Sequence, residues 1–218
     1  RQQVQAHWEP VGGETGRSTF LAGPATVSSI DRAHQHLCDT TMGIIGLGSI
    51  GREVATRAEA AKMRVVAVDT HPANKPEEVE WLEDLSALER LLAESHYVVL
   101  CAPHTPETVG MFNRTMFQKM RPDGYFINIG RGATVELDEL CAALEAKEIA
   151  GAALDVYQTE PLPPEHPLWR FDNVILTPHV AGYGEHVAER HLEVVLDNIG
   201  RFDRGEPLRN VVEKASWY

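Results

Sequence analysis

The stretch from Thr41 to Asp69 most constrains what this chain can fold into. It reads TMGIIGLGSIGREVATRAEAAKMRVVAVD, which is an apolar run, a glycine motif, a helical pattern and a second apolar run that ends on an acid. The motif G-x-G-x-x-G is formed by Gly46, Gly48 and Gly51. This order of strand, tight turn, helix and strand is typical of the first half of a dinucleotide-binding fold. We therefore expect an α/β domain built around this stretch.

Each glycine of the motif has its own expected role. Gly46 permits a sharp turn out of the strand, Gly48 lets the backbone approach a pyrophosphate, and Gly51 lets the helix pack close to the strand. The helix N-terminus offers free N–H groups and a positive dipole end to the phosphates. Asp69 follows Gly51 by 18 residues, where a carboxylate can accept hydrogen bonds from ribose hydroxyls and repel a 2′-phosphate. The stretch therefore predicts NAD as the cofactor, rather than NADP.

Charge and cysteine content narrow the class of protein. The 218 residues carry a formal net charge of −12, so we expect neither nucleic acid nor an anionic membrane as a partner. The chain has three widely spaced cysteines, Cys38, Cys101 and Cys141, which predict neither a disulfide framework nor a zinc site and favour a reducing cytoplasm. His34 and His36 lie close together without a Cys or acid cluster, so we expect no metal site.

Apolar runs alternate with helical patterns beyond residue 41. Near-continuous apolar runs are typical of strands buried on both faces. Six such runs predict strands: Met42–Leu47, Val65–Val68, Tyr97–Cys101, Tyr125–Ile129, Ala152–Val156 and Val174–Thr177. The helices predicted between and after them are Gly51–Met63, Ser86–Ala93, Arg114–Met120, Leu137–Lys147 and a C-terminal helix near Gly184–Arg204. The pattern predicts a doubly wound, parallel, six-stranded α/β sheet, which is a Rossmann-like dinucleotide-binding domain.

Domain bounds follow from the same pattern. We predict a linker over residues 1–40, the dinucleotide-binding domain over 41–182, and a C-terminal helix and tail over 183–218. Within the first of these, the letters RQQVQAHW resemble the end of a helix. Pro10–Ser29 is rich in Gly, Ser, Thr and Pro, which predicts an irregular connection.

The residues just past each strand carry the predicted chemistry, because ligands of doubly wound sheets bind at the carboxyl ends of strands. Arg131 follows the fourth run, Asp155 and Glu160 follow the fifth, and His179 follows the sixth. An arginine, a carboxylate and a histidine would therefore face one crevice, as reduction of a 2-keto acid requires. The arginine would clamp the substrate carboxylate, and the histidine would donate a proton. A neighbouring carboxylate would favour the protonated histidine.

Residues 42–214 resemble the D-2-hydroxyacid dehydrogenase family. The matching stretches, in order, are GIIGLGSIG, CAPHTPET, INIGRGATVELDEL, GAALDVYQTEPLP, LTPHVAG and RNVV. The family consists of two-domain, NAD-dependent and usually homodimeric enzymes. The resemblance therefore implies an NAD-dependent enzyme, active as a homodimer on a small 2-keto or D-2-hydroxy acid.

The resemblance also implies roles for individual residues. Arg131 would bind substrate, Glu160 would pair with the histidine, and His179 would be the acid/base. Asp155 would face the nicotinamide. The cofactor would contact Gly46, Gly48, Ser49, Ile50, Gly51, Asp69, Pro103, Thr108, Ile129, Gly130, Arg131, Asp155, His179, Ala181 and Gly182, with Ser49, Ile50 and Thr108 at its phosphates.

Two functions stay open because this chain departs from the family's pattern. The family has a much longer substrate domain before the glycine turn, whereas forty residues precede Thr41 here. The resemblance therefore implies that residues 1–40 are a linker or a remnant of this second domain, and that residues 183–218 would pack on it. The first reading is an NAD-dependent 2-hydroxyacid dehydrogenase or its catalytic fragment. The second is an NAD-binding module with little turnover, as in the related C-terminal-binding-protein corepressors. Intact Arg131, Glu160 and His179 favour the first. Formate dehydrogenases usually carry Gln where Glu160 stands, which disfavours that third relative.

Overall fold

The computed structural model describes residues 35–212. The chain divides into two compact units, Arg1–Thr40 and Thr41–Tyr218, and all strands described below belong to the second. The helix end predicted for RQQVQAHW, the connection predicted for Pro10–Ser29, and His34 lie outside the described residues. The domain bounds proposed from the sequence stay predictions.

One parallel sheet organises the larger unit. Its strands are β1 (Thr41–Ile45), β2 (Arg64–Val68), β3 (Trp81–Glu83), β4 (Tyr97–Leu100), β5 (Tyr125–Asn128), β6 (Gly151–Leu154) and β7 (Val174–Leu176). They lie in the order β3-β2-β1-β4-β5-β6-β7, and every neighbouring pair is parallel. The order reverses between β1 and β4, which is the switch point where ligands of doubly wound sheets bind. The predicted doubly wound fold is therefore confirmed.

The predicted strand number of six is wrong, because the sheet has seven strands. The additional strand is β3, which has three residues and follows a segment rich in Pro and Glu. A run this short has no detectable period of its own. It forms by pairing with β2, where Val66 lies opposite Trp81.

Five α-helices accompany these strands in the described residues. They are α1 (Ser49–Ala60), α2 (Leu88–Glu94), α3 (Arg114–Lys119), α4 (Leu137–Glu145) and α5 (Val187–Asp203). Helix α3 begins where the sequence predicts, because the side chain of Asn113 accepts hydrogen bonds from the N–H groups of Thr115 and Met116. The connection from β6 to β7 carries the short 3₁₀ helix Pro167–Arg170 instead of an α-helix.

The core forms two layers, one on each face of the sheet. Successive residues of a strand point to opposite faces, so Ile44 packs with Ala55 and Ala58 of α1 in one cluster. Ile45 packs in the other cluster, which α2, α3 and α4 cover. In that second layer Phe112, Phe117 and Phe126 are fully buried, with ring centroids 4.5–5.6 Å apart. The two layers fix the strand ends that carry the site.

Candidate active site

A cleft of about 790 Å³ opens at the carboxyl ends of β1, β2, β4 and β5. Eleven of the residues expected to contact a cofactor line it. They are Gly46, Gly48, Ser49, Ile50, Gly51, Asp69, Pro103, Thr108, Ile129, Gly130 and Arg131. The remaining expected residues, Asp155, His179, Ala181 and Gly182, lie outside this lining, as does Glu160. The structure therefore places the predicted residues in two groups.

The three glycines of the motif differ in what requires them. Gly46 has a φ of 90°, which side chains rarely adopt, and a Cβ there would lie 3.0 Å from the backbone N of Ala102. A Cβ on Gly51 would overlap the carbonyl oxygen of Gly46. A Cβ on Gly48 would meet nothing within 4 Å, and the backbone there has an ordinary φ of −73°. The fold itself therefore does not require a glycine at position 48. The missing side chain leaves an open cradle at the N-terminus of α1, and a pyrophosphate fits there.

Asp69 ties the glycine turn to the end of β2. Its Oδ2 accepts a hydrogen bond from the backbone N of Leu47 at 2.7 Å, and its Oδ1 accepts from the backbone N of His71 at 2.8 Å. A carboxylate has about four acceptor positions, so each oxygen keeps one for a ribose hydroxyl. Asp69 is therefore fixed in place before any ligand arrives.

The wall beside Asp69 contains residues that the sequence did not single out. Arg52, one residue past the last motif glycine, donates to the carbonyl oxygens of Asn74 at 3.0 Å and Ala73 at 3.5 Å. It closes the cleft together with Thr70, His71, Ala73, Leu82 and Leu85. The signal for Arg52 was its place in the first turns of α1, where a side chain reaches the loop after β2.

Thr108 stabilises the loop that follows β4. Its hydroxyl donates to the carbonyl oxygen of Pro103 at 2.7 Å and accepts from the backbone N of Thr105 at 2.8 Å. Thr108 is buried, although it lies against the cleft. The predicted contact of this hydroxyl with a phosphate would therefore compete with bonds that shape the loop.

Arg131 sits on a tightly held turn after β5. The buried side chain of Asn128 accepts from the backbone N of Gly130 at 3.0 Å and donates to the carbonyl oxygen of Arg131 at 3.2 Å. Thr134 donates its hydroxyl to the same carbonyl at 2.6 Å. The exposed guanidinium donates to the Gly130 carbonyl at 2.7 Å, and no carboxylate of the described residues forms an ion pair with it. Its remaining donors can therefore bind an anion from the cleft.

His179 and Glu160 form the pair expected from the sequence. His179 Nδ1 lies 2.8 Å from Glu160 Oε2, and Glu160 Oε1 accepts from the backbone N of Tyr157 at 3.0 Å. The bond from His179, followed by the bond from Tyr157, holds the pKa of the Glu160 carboxyl below its usual value. Because Nδ1 is engaged, Nε2 is the ring nitrogen left for a substrate.

Asp155 lies beneath the loop that carries His179. Its Oδ1 accepts from the hydroxyl of Thr177 at 2.6 Å and the backbone N of Val180 at 2.9 Å, and its Oδ2 accepts from the backbone N of Ala181 at 2.9 Å. Burial acts to raise the pKa of this carboxyl, but these three hydrogen bonds and the nearby His179 outweigh burial and lower the pKa. Asp155 is thus an ionised, buried acceptor.

Tyr157 and Gly132 connect the two groups of residues. A Cβ on Gly132 would overlap the backbone carbonyl of Tyr157, so the turn bearing Arg131 packs directly against the segment bearing Glu160. The buried hydroxyl of Tyr157 reaches two carbonyl oxygens, that of Leu154 at 3.0 Å and that of Thr177 at 2.9 Å. These contacts join the ends of β5, β6 and β7, and no pattern in the sequence predicts them.

Two features are absent from residues 35–212, the part of the chain that the structure describes. No group of three or more His, Cys, Asp or Glu side chains is arranged there to hold a metal ion. None of the helices in that range combines the length and the apolar character needed to cross a membrane.

A parallel doubly wound sheet with a glycine-rich cleft at its switch point defines a dinucleotide-binding domain. Residues 20–181 match the family described as D-isomer specific 2-hydroxyacid dehydrogenase, NAD binding domain. The chain belongs to this family, as the sequence resemblance predicts.

Relatives and a solved structure agree with this assignment. The chain is 38% identical over 174 residues to a glyoxylate reductase of Korarchaeum cryptofilum (strain OPF8), covering 80% of this chain and 52% of the relative. It is 36% identical over 176 residues to a D-3-phosphoglycerate dehydrogenase of Archaeoglobus fulgidus, covering 81% and 33%. A D-isomer specific 2-hydroxyacid dehydrogenase from Xanthobacter autotrophicus Py2, solved with NADPH and MES, superposes with a TM-score of 0.81 at 32% identity, covering 100% of this chain and 80% of that one.

The chain spans about half of the first relative and a third of the second. The two relatives are named as a reductase and a dehydrogenase, and the solved structure holds NADPH. A nicotinamide dinucleotide is therefore the cofactor class of this family.

Proposed function

We propose that this chain is the cofactor-binding and catalytic part of an NAD-dependent oxidoreductase that interconverts a 2-keto acid and a D-2-hydroxy acid. The observation that carries the proposal is the contact of 2.8 Å between His179 Nδ1 and Glu160 Oε2. Glu160 lies on the segment that packs against the turn bearing Arg131, and the hydroxyl of Tyr157 in that segment reaches the carbonyl oxygen of Thr177 before His179. A histidine oriented by a carboxylate, together with an arginine that has free donors, suits reduction of a carbonyl next to a carboxylate.

The proposed roles differ between Arg131, which binds the substrate, and His179, which transfers the proton. Arg131 clamps the substrate carboxylate with its planar fork and draws charge toward the adjacent carbonyl oxygen. His179 Nε2 donates a proton to that oxygen, while Glu160 holds Nδ1 and stabilises the imidazolium. The nicotinamide, when bound, supplies the hydride. In the direction of oxidation, His179 takes the hydroxyl proton back.

NAD is the proposed cofactor, and Asp69 is the reason. Its carboxylate is fixed by Leu47 and His71, so it cannot turn away from a 2′-phosphate without breaking two hydrogen bonds. The solved relative from Xanthobacter autotrophicus holds NADPH, so family membership alone does not decide between NAD and NADP. The proposed preference for NAD therefore depends on Asp69 of this chain. The proposal includes a homodimer, as the family resemblance implies, and a cytoplasmic location, which the three widely spaced cysteines favour.

The cofactor choice is tested by calorimetry with NADH and NADPH. We expect tighter binding of NADH, and we expect Asp69→Ala to weaken NADH binding and narrow the difference, because a ribose acceptor and a repelling charge are both lost. Equal affinities in the unmodified chain would contradict the assignment.

The reaction is tested by oxidation of NADH in the presence of glyoxylate, hydroxypyruvate, pyruvate or phenylpyruvate. We expect at least one of them to be reduced, and His179→Ala to lose about 10²–10⁴-fold in rate while keeping its affinity for NADH. Tight NADH binding with no reduction of any of the four would instead fit an NAD-binding module that acts as a scaffold.

A further inference from the structure

The loop from Thr177 to Gly182 needs an anchor, because His179 adopts a left-handed backbone conformation. Its φ is 54°, a region that residues other than glycine rarely occupy. Such a conformation persists only when surrounding contacts impose it. Among the described residues, a single hydrogen bond joins backbone atoms within this loop. The backbone N of His179 donates it to the carbonyl oxygen of Thr177 at 3.1 Å.

Asp155 supplies the missing contacts. The two amides that directly follow His179, those of Val180 and Ala181, both donate to its carboxylate at 2.9 Å. The hydroxyl of Thr177, two residues before His179, donates to the same carboxylate at 2.6 Å. The donors therefore bracket His179 on both sides and converge on one buried anion.

Asp155 is itself rigid, so it can transmit a fixed position. It immediately follows β6, and its backbone N donates to the carbonyl oxygen of Asn128 in β5 at 3.0 Å. Only 5% of its surface is exposed, and it lies outside the lining of the cleft. Hydrogen bonds to an ionised acceptor are stronger than neutral ones, so three of them can impose a strained conformation on the loop.

We propose that Asp155 is the positioning residue of His179, and that it acts through the loop backbone without touching substrate. The inference rests on the proposed function, in which His179 donates the proton. It differs from the role that the family resemblance implies, a contact of Asp155 with the nicotinamide. The two roles predict different effects on cofactor affinity, which makes them separable.

The decisive variant is Asp155→Asn, which keeps the shape of the side chain. An amide offers one oxygen and one NH₂ group, so at least one of the three donors would face another donor. We expect the loop to shift and His179 to leave its place beside Glu160. Misplacement of a catalytic group by about 1 Å can cost about 100-fold in rate, and we expect a loss of that order in kcat.

A milder, matched pair of variants keeps the carboxylate. Thr177→Val removes the donor to Asp155 with little change in volume, whereas Thr177→Ser retains the hydroxyl. We expect Thr177→Val to lose about 10-fold in kcat and Thr177→Ser to behave like the unmodified chain. This pair tests the inference even if Asp155→Asn does not fold.

The readouts are NADH affinity, kcat, and nuclear magnetic resonance spectra of the 218-residue chain. The spectra follow the amides of Val180 and Ala181 and the ring nitrogens of His179. In Asp155→Asn we expect both amide signals to lose their charge-assisted shift and the His179 ring to lose its bond to Glu160. NADH affinity should stay within about 3-fold, because three hydrogen bonds already commit the Asp155 carboxylate to the loop.

A different pattern would overturn the inference. If NADH affinity falls more than 10-fold in Asp155→Asn while the His179 ring signals do not change, Asp155 is a cofactor ligand. Unchanged amide and ring signals in both Asp155→Asn and Thr177→Val would likewise refute it. Failure of the unmodified chain to reduce any keto acid would count against the proposed function alone, since the spectra and the NADH titration still decide the role of Asp155.

Discussion

The substitution Gly48→Ala tests whether a ligand or the fold requires glycine at this position. A methyl group there would meet no atom within 4 Å, and the φ of −73° is open to any residue. Gly48 is the N-cap of α1, where alanine is a poorer residue than glycine. Against this, replacing glycine restricts the unfolded chain and contributes about 0.4–1 kcal/mol of stability. We therefore expect the free energy of unfolding of Gly48→Ala to change by less than about 1 kcal/mol.

The same substitution should weaken NADH binding. The added methyl group would occupy the cradle at the N-terminus of α1, where the pyrophosphate is expected. Forcing one extra carbon into a filled site costs about 1–3 kcal/mol. That range corresponds to a loss of about 5- to 150-fold in affinity.

Gly51→Ala provides the matched control from the same motif. Its Cβ would overlap the carbonyl oxygen of Gly46, so the helix and the turn must move apart. We expect this variant to lose about 1–3 kcal/mol of stability, in contrast to Gly48→Ala. Urea denaturation measures the stability of each variant, and fluorescence titration measures NADH affinity.

Two results would refute this reasoning. A Gly48→Ala variant that binds NADH as tightly as the unmodified chain would show that the cradle is not the pyrophosphate site. A Gly48→Ala variant as unstable as Gly51→Ala would show that the fold, and not a ligand, requires this glycine.

Further predictions concern Glu160, His96 and the exposed face of helix α5. Glu160→Gln should lower kcat/KM for keto-acid reduction, because the carboxylate that orients His179 Nδ1 is lost; an unchanged kcat/KM would make Glu160 a bystander. The pKa of His96 is lowered, first by burial and then by the charge of Arg121. Its Nδ1 also accepts a hydrogen bond from the backbone N of Thr41 at 3.1 Å, so folding favours the neutral imidazole. The contribution of His96 to the free energy of unfolding should therefore be fully present above pH 6.5. Below pH 6.5 the free energy of unfolding should fall by up to about 1.4 kcal/mol per pH unit, until the pH has passed the pKa of His96 in the folded state. In urea titrations at pH 5–8, His96→Ala should flatten this slope. Helix α5 exposes 52–61% of Leu192, Val195, Leu196 and Ile199, so the chain should self-associate in sedimentation velocity, and Leu196→Lys should raise the monomer fraction; a chain that is monomeric at all concentrations would contradict this.

The sequence was sufficient wherever a local pattern determines local structure. The run from Thr41 to Asp69 folds as expected, because its apolar strands, glycine turn and amphipathic helix agree with one another. Asn113 caps α3 for a local reason as well. In contrast, β3 exists because β2 offers it an edge, and three residues carry no periodic signal of that pairing.

The site divides along the same line. The pairing of Glu160 with His179 was expected from the family resemblance, and the two side chains do meet. The partners of Asp155 were not expected, because Thr177 and Ala181 lie 22 and 26 residues away along the chain. Contacts at such separations depend on how β6 and β7 are placed side by side, which no pattern in a single sequence specifies.

Single-turnover reduction tests most directly the claim that His179 and Arg131 carry out keto-acid chemistry. Excess protein is loaded with NADH and mixed with glyoxylate, and the loss of absorbance of bound NADH is followed in time. Because only one turnover is needed, slow product release does not obscure the reaction. We predict a decay that slows by about 10²–10⁴-fold in His179→Ala at unchanged NADH affinity. A decay of equal rate in His179→Ala, or NADH that stays bound and unoxidised in the unmodified chain with all four keto acids, would contradict the account.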